Sequence, residues 1–133
     1  MKPKLVIINA GTNDVAENTG PFDLDITFGN IASMAEIAKA NGIKVILTSV
    51  LPAAGFRWNK NVTDAPERIE ALNAKIKEYA KANKIPYVDY DTPMVTGAER
   101  ALNPDYSKDG VHPTLEGYLV METLIKPAIE KAL

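Results

Sequence analysis

The chain has 133 residues, 46% of them hydrophobic and 24% charged, with a formal net charge of −2. That is the make-up of one ordinary globular domain with room for a real core. It carries no basic stripe for nucleic acid, no block of like charge and no apolar run long enough to span a membrane. The lack of cysteine excludes disulfides, thiolate chemistry and thiolate metal sites, and the single histidine, His112, argues against a zinc-type centre; no metal and no cofactor are expected.

Taken in chain order, Leu5-Val6-Ile7-Ile8 is too short for a helix and rich in β-branched residues, and reads as a strand buried on both faces. Gly11-Thr12-Asn13-Asp14 follows it directly. Asp23 or Asp25 can open a helix to about Asn41, with Phe28, Ile31, Ala35 and Ala38 on one stripe and Asn41-Gly42 as the stop. Ile43 to Ser49 is a second strand. Asp64 before Ala65-Pro66-Glu67 predicts a capped helix carrying Ile69, Leu72, Ile76 and Tyr79 and ending at Asn83. Ile85 to Tyr90 is a third strand, followed by a long loop from Asp91 to Pro113. Thr114 caps a last helix running to about Leu133, with a bend expected at Pro127.

The order β-α-β-α-β-loop-α predicts an α/β fold with a parallel sheet of three strands and three helices. In such sheets ligands gather at the carboxyl ends of the strands, and every polar cluster of this chain follows a strand. The clusters are therefore expected on one edge of one sheet. The first strand starts within a few residues of Met1, and three strands make a thin sheet; if that strand lies at an edge, its unpaired backbone and two apolar faces are exposed. Either another chain covers it, by self-association, or further chain belongs in front of it.

Asp109 and His112, in Lys108-Asp109-Gly110-Val111-His112-Pro113-Thr114, form the most telling pair. A carboxylate three positions before an imidazole in a Gly/Pro-rich loop can fix its tautomer and make it a general base. The competing reading is a loop histidine beside a capping aspartate. In Gly11-Thr12-Asn13-Asp14, the Asn13 amide can donate to a developing oxyanion, with Gly11 permitting the turn and Asp14 holding the loop; the same residues are also plain turn formers. The block lacks the spacing of a phosphate loop. Arg57 and Trp58 either line a substrate pocket or are packing and surface residues. The serines are Ser33, Ser49 and Ser107. Ser33 falls inside a helix, Ser107 is too close to Asp109 to reach the far side of His112, and Ser49 lacks a glycine-flanked elbow.

These residues resemble a family. Gly11-Thr12-Asn13-Asp14 after an apolar strand is similar to the G-x-N-D block of the SGNH hydrolases (GDSL esterases/lipases), and Asp109-Gly110-Val111-His112-Pro113 to their D-x-x-H-P block. Val50-Leu51-Pro52-Ala53-Ala54 and Ile69-Glu70-Ala71-Leu72-Asn73 look like segments of carbohydrate-acetylesterase and lysophospholipase-like members. The resemblance implies a flavodoxin-like three-layer α/β/α sandwich and metal-free ester hydrolysis through a serine acyl-enzyme. His112 would be the base, Asp109 its orienting carboxylate and Asn13 an oxyanion donor. The substrate would be a small ester or an acetylated carbohydrate.

The departure lies at the front. The family's G-D-S block, with the nucleophilic serine, and its next block, with an oxyanion glycine, both precede G-x-N-D, where this chain begins. Residues 1–133 are therefore expected to be one SGNH-like domain truncated at its N-terminus and inactive alone. The compartment stays open, because any signal peptide would precede this segment. A non-catalytic α/β module that binds a ligand or partner at the same edge is the alternative, and hydrolysis through Ser49 a third.

Overall fold

The structure, a computed structural model, describes residues 2–133. Three parallel strands form its main sheet in the order β1 (Leu5–Ile8), β2 (Lys44–Thr48), β3 (Tyr87–Val88). β1 pairs with β2 in the register Leu5↔Lys44 to Ile8↔Leu47, and β2 with β3 through Leu47↔Tyr87 and Thr48↔Val88. The first strand thus lies at an edge and β2 at the centre, where residues Val45 to Thr48 are all buried.

Alternation along β2 sorts the two faces. Leu47 packs with Ile31, Ala35, Ile69, Leu72 and Ile76, which belong to the long helices at Leu24–Ala40 and Ala65–Ala82. Ile46 faces the other way, into a cluster with Val88, Tyr90, Met94 and Leu102. Val120, Met121, Leu124 and Ile125 of the last helix, Leu115–Ala132, cover that second cluster. Helices lie on both sides of the sheet, which is a three-layer α/β/α arrangement. Residues 3.6 apart on each helix supply the apolar stripes that make this possible.

The helix boundaries follow local chemistry. Asp23 caps the Leu24–Ala40 helix by accepting the Ile26 N–H at 2.9 Å, and Gly42, at φ +71°, turns the chain after it. Thr114 caps the last helix through Gly117, and that helix continues through Pro127. Asp64 departs from expectation: its carboxylate makes no cap bond and instead pairs with Arg68 one turn later, at 2.7 Å.

The segment from Asp91 to Pro113 is more ordered than the long loop expected. In chain order the helices are α1 (Thr12–Val15), α2 (Leu24–Ala40), α3 (Ala65–Ala82), α4 (Asp91–Met94) and α5 (Leu115–Ala132). The single turn α4 leads into an antiparallel hairpin of β4 (Val95–Thr96) and β5 (Ala101–Leu102). Its turn uses two positive-φ residues, Gly97 and Arg100. The count of three strands and three helices is therefore corrected by two single-turn helices and a small second sheet. Elements of two to four residues are too short to show a hydrophobic period.

Candidate active site

The polar clusters do meet at the carboxyl edge of the sheet. Gly11, Asn13 and Asp14 from the end of β1, Leu51 and Trp58 from the segment after β2, and His112 line one open cleft of about 670 Å³. Tyr118 and Met121 of α5 complete its wall.

His112 is held at both ends by one residue. Its ring Nδ1 lies 2.6 Å from Asp109 Oδ2, while Asp109 Oδ1 accepts the main-chain N–H groups of Val111 (2.9 Å) and His112 itself (2.8 Å). A carboxylate accepting this many N–H groups favours its ionised form. The His112 N–H first, then the His112 ring, then the Val111 N–H hold the Asp109 carboxyl well below the usual carboxylate range. An ionised partner at Nδ1 can only accept, so in the neutral ring the proton belongs on Nδ1 and Nε2 carries the lone pair. The imidazole side chain is 73% exposed, so that lone pair is open to a reactant.

The loop behind it is built on Ser107, which is buried. The Ser107 hydroxyl accepts the Gly110 N–H at 3.0 Å and sits 2.8 Å from the His112 carbonyl and 3.2 Å from Asp109 Oδ1. Gly110 adopts φ +80°, the left-handed conformation that favours glycine. The Arg57 guanidinium donates to the Lys108 carbonyl at 3.2 Å, and Arg57 does not line the cleft. Of the two candidate pocket residues only Trp58 faces the site, its ring 6.2 Å from that of His112.

Gly11 opens the opposite wall at φ +130°. A Cβ there would stand 2.8 Å from Leu72 Cδ2 and 3.0 Å from Val50 Cγ2, so both conformation and space require glycine. The turn that follows is α1, carrying Asn13. Asn13 Oδ1 accepts from Asn18 Nδ2 at 3.0 Å. Asp14 serves the turn through its main chain, whose carbonyl accepts the Glu17 N–H at 3.0 Å. Glu17 in turn binds Arg68 at 3.0 Å, and Arg68 also donates to the Val15 carbonyl, tying α1 to α3.

Ser49 is fully buried and outside the cleft wall. Its hydroxyl accepts the N–H groups of Tyr90 (2.8 Å) and Asp91 (3.0 Å), which fastens the end of β2 to the start of α4. Ser33 is exposed on α2. Sequence reasoning missed Asn9, whose amide donates to Thr48 Oγ1 (2.7 Å) and the Ser49 carbonyl (3.0 Å) at the cleft floor. It also missed Asn18, hidden in a run of turn formers. Among the described residues, no three His, Asp or Glu side chains converge as a metal ion would need, and no helix is long and apolar enough to cross a membrane.

The model of the GDSL-like Lipase/Acylhydrolase family matches residues 1–120. Esterase TesA of Pseudomonas aeruginosa is 31% identical over 114 residues, which are 86% of this chain and 49% of that protein. A GDSL-like lipase from Bacteroides thetaiotaomicron, known from its crystal structure, is 71% identical with a TM-score of 0.97; the match covers 98% of this chain and 64% of that one. The lipase/acylhydrolase from Enterococcus faecalis shares the fold, at 23% identity and a TM-score of 0.76, over 98% of this chain and 63% of its own. The chain thus spans about half the length of TesA and less than two thirds of either solved chain.

Proposed function

The chain belongs to the GDSL-like lipase/acylhydrolase family, and on that footing we propose that its cleft is the base and oxyanion half of a serine ester hydrolase. The reacting serine is supplied by a segment outside these 133 residues. Residues 1–133 act as one domain and hydrolyse little or nothing alone. The observation that carries the reading is the 2.6 Å contact between His112 Nδ1 and Asp109 Oδ2 beside a cleft that Asn13 also lines.

In this mechanism His112 Nε2 takes the proton of the serine hydroxyl as its oxygen attacks the acyl carbon. Asp109 holds the Nδ1 proton and stabilises the imidazolium that forms. The carbonyl oxygen, now an oxyanion, accepts a hydrogen bond from Asn13 Nδ2. Collapse expels the alcohol, which leaves with the proton carried by Nε2. Water then repeats the sequence on the acyl-enzyme and releases the acid. Gly11 and Asp14 support the Asn13 turn, and Trp58 borders the alcohol side. A small acyl ester, such as an O-acetyl group on a carbohydrate, suits an open cleft of about 670 Å³.

Two features support a serine from elsewhere: the burial of Ser49 and Ser107, and the engagement of both hydroxyls with backbone groups. The edge of β1 left unpaired among the described residues is where a further strand, or a second copy of this chain, pairs. The test is hydrolysis of p-nitrophenyl acetate by the chain alone and after mixing with an N-terminal fragment of a relative bearing G-D-S. Turnover that appears on association and vanishes with His112→Ala supports the proposal. Association without turnover overturns it in favour of a ligand-binding module.

A further inference from the structure

Trp58 is bound to the Asn13 amide through one intervening side chain. The indole Nε1 donates to Asn18 Oδ1 at 2.7 Å, and Asn18 Nδ2 donates to Asn13 Oδ1 at 3.0 Å. All three residues line the cleft that His112 shares.

The direction of this chain of bonds is dictated by chemistry. An amide side chain can be turned over by 180°, exchanging donor for acceptor, and its shape resists neither orientation. An indole N–H, however, only donates. Trp58 therefore obliges Asn18 to present its oxygen. Asn18 then presents its NH2 group to Asn13, and Asn13 must answer with Oδ1. The Asn13 Nδ2 group, a donor, is left outside this chain of bonds on a residue that lines the cleft.

The Trp58 ring is itself anchored. It lies 5.3 Å from Phe56, a buried core residue, and 6.2 Å from the His112 ring. The adjacent Asn59 amide donates to the Ala16 carbonyl at 3.0 Å, which fastens this segment to the end of α1. The segment after β2 is thus fixed relative to the turn that carries Asn13.

We propose that Trp58 and Asn18 are positioning residues that lock the Asn13 side chain with its NH2 group toward the cleft, so that the donor is oriented before any substrate arrives. The role of that donor rests on the ester-hydrolase reading; the orientation itself does not. A preoriented donor needs no rearrangement when charge develops, which is the source of its effect.

Two variants separate the links. Trp58→Phe keeps a ring beside Phe56 and loses the donor. Asn18→Asp still accepts from Trp58 but cannot donate to Asn13, so the Asn13 amide turns its NH2 group away from the cleft. The first measurement is the Asn13 side-chain NH2 resonance in a 15N-labelled sample of the full chain. Both variants are expected to shift or broaden it while the backbone amides of α1 stay in place. An unchanged resonance in both overturns the proposal, whether or not the chain hydrolyses anything.

The second measurement is kinetic, in the complemented enzyme. Asn18→Asp is expected to lower kcat by about a hundredfold, the effect of losing one oxyanion donor, with KM little changed. Trp58→Phe should lie between it and the parent. In an Asn13→Ala background neither change should cost anything further. A parent-like kcat for Asn18→Asp also overturns the proposal. A resonance that moves as expected in a chain that never gains turnover upholds the orientation and removes the hydrolase reading.

Discussion

Asp109 binds His112 twice, through the ring at 2.6 Å and through the main-chain N–H at 2.8 Å, using a different carboxylate oxygen for each. The ring is therefore oriented by the same group that folds the loop beneath it. The functional contact and the loop's fold cannot be altered independently at this residue.

Asp109→Asn tests the orienting half of that arrangement. The amide can present NH2 to the ring and reverse its tautomer, leaving Nε2 protonated and unable to act as base. In the complemented enzyme kcat should fall by about 10³- to 10⁴-fold, the scale seen when a triad carboxylate is neutralised. Initial rates on p-nitrophenyl acetate measure it.

Acid should act on the loop through the same carboxyl. Its ordinary value is 3.8, and the folded chain holds it lower. A depressed carboxylate contributes stability that is complete above the ordinary value and is lost as pH falls toward the folded one. Thermal melts should therefore show Asp109→Asn least stable relative to the parent at neutral pH. The gap should narrow below pH 3.8. Solvent screening of this partly exposed group keeps the gap small.

Gly11→Ala should be costly for a residue beside an open cleft. It forces an L side chain to φ +130° and drives a Cβ to within 2.8 Å of Leu72. Strain and overpacking together should remove at least about 2 kcal/mol of stability, read from the midpoint of urea unfolding.

The free edge predicts association. Ile7 on β1 is 40% exposed, unusual for a central residue of a strand with two apolar faces. Ile7→Lys should reduce self-association seen by light scattering at high concentration, because a charge on an edge strand opposes pairing. A parent chain that stays monomeric throughout would refute an adhesive edge.

The main sheet was legible because its strands are continuous apolar runs between well-marked helices, with Asp23 and Thr114 capping as their positions suggest. Its parallel sense alone puts the segments carrying Asn13, Trp58 and His112 at one edge. The hairpin at Val95–Leu102 was not legible, since two-residue strands carry no period. The partners of Asp64 and Arg57 were not legible for another reason. Side-chain partners such as Arg68 and the Lys108 carbonyl depend on tertiary proximity, which composition does not reveal. Asn18 looked like one more turn residue; only its place between Trp58 and Asn13 distinguishes it.

The shortness of β1 limits what can zip onto it. Four residues extend roughly 13 Å, and only alternate residues turn their backbone groups outward. So few rungs hold any incoming strand weakly and read its alignment poorly. Alignment must come instead from side chains: sliding by one residue would send groups meant for the Val6 and Ile8 face to the Leu5 and Ile7 face. A strand that fits here is selected by its alternating pattern of bulk, much as a key is read by its cuts rather than its shaft.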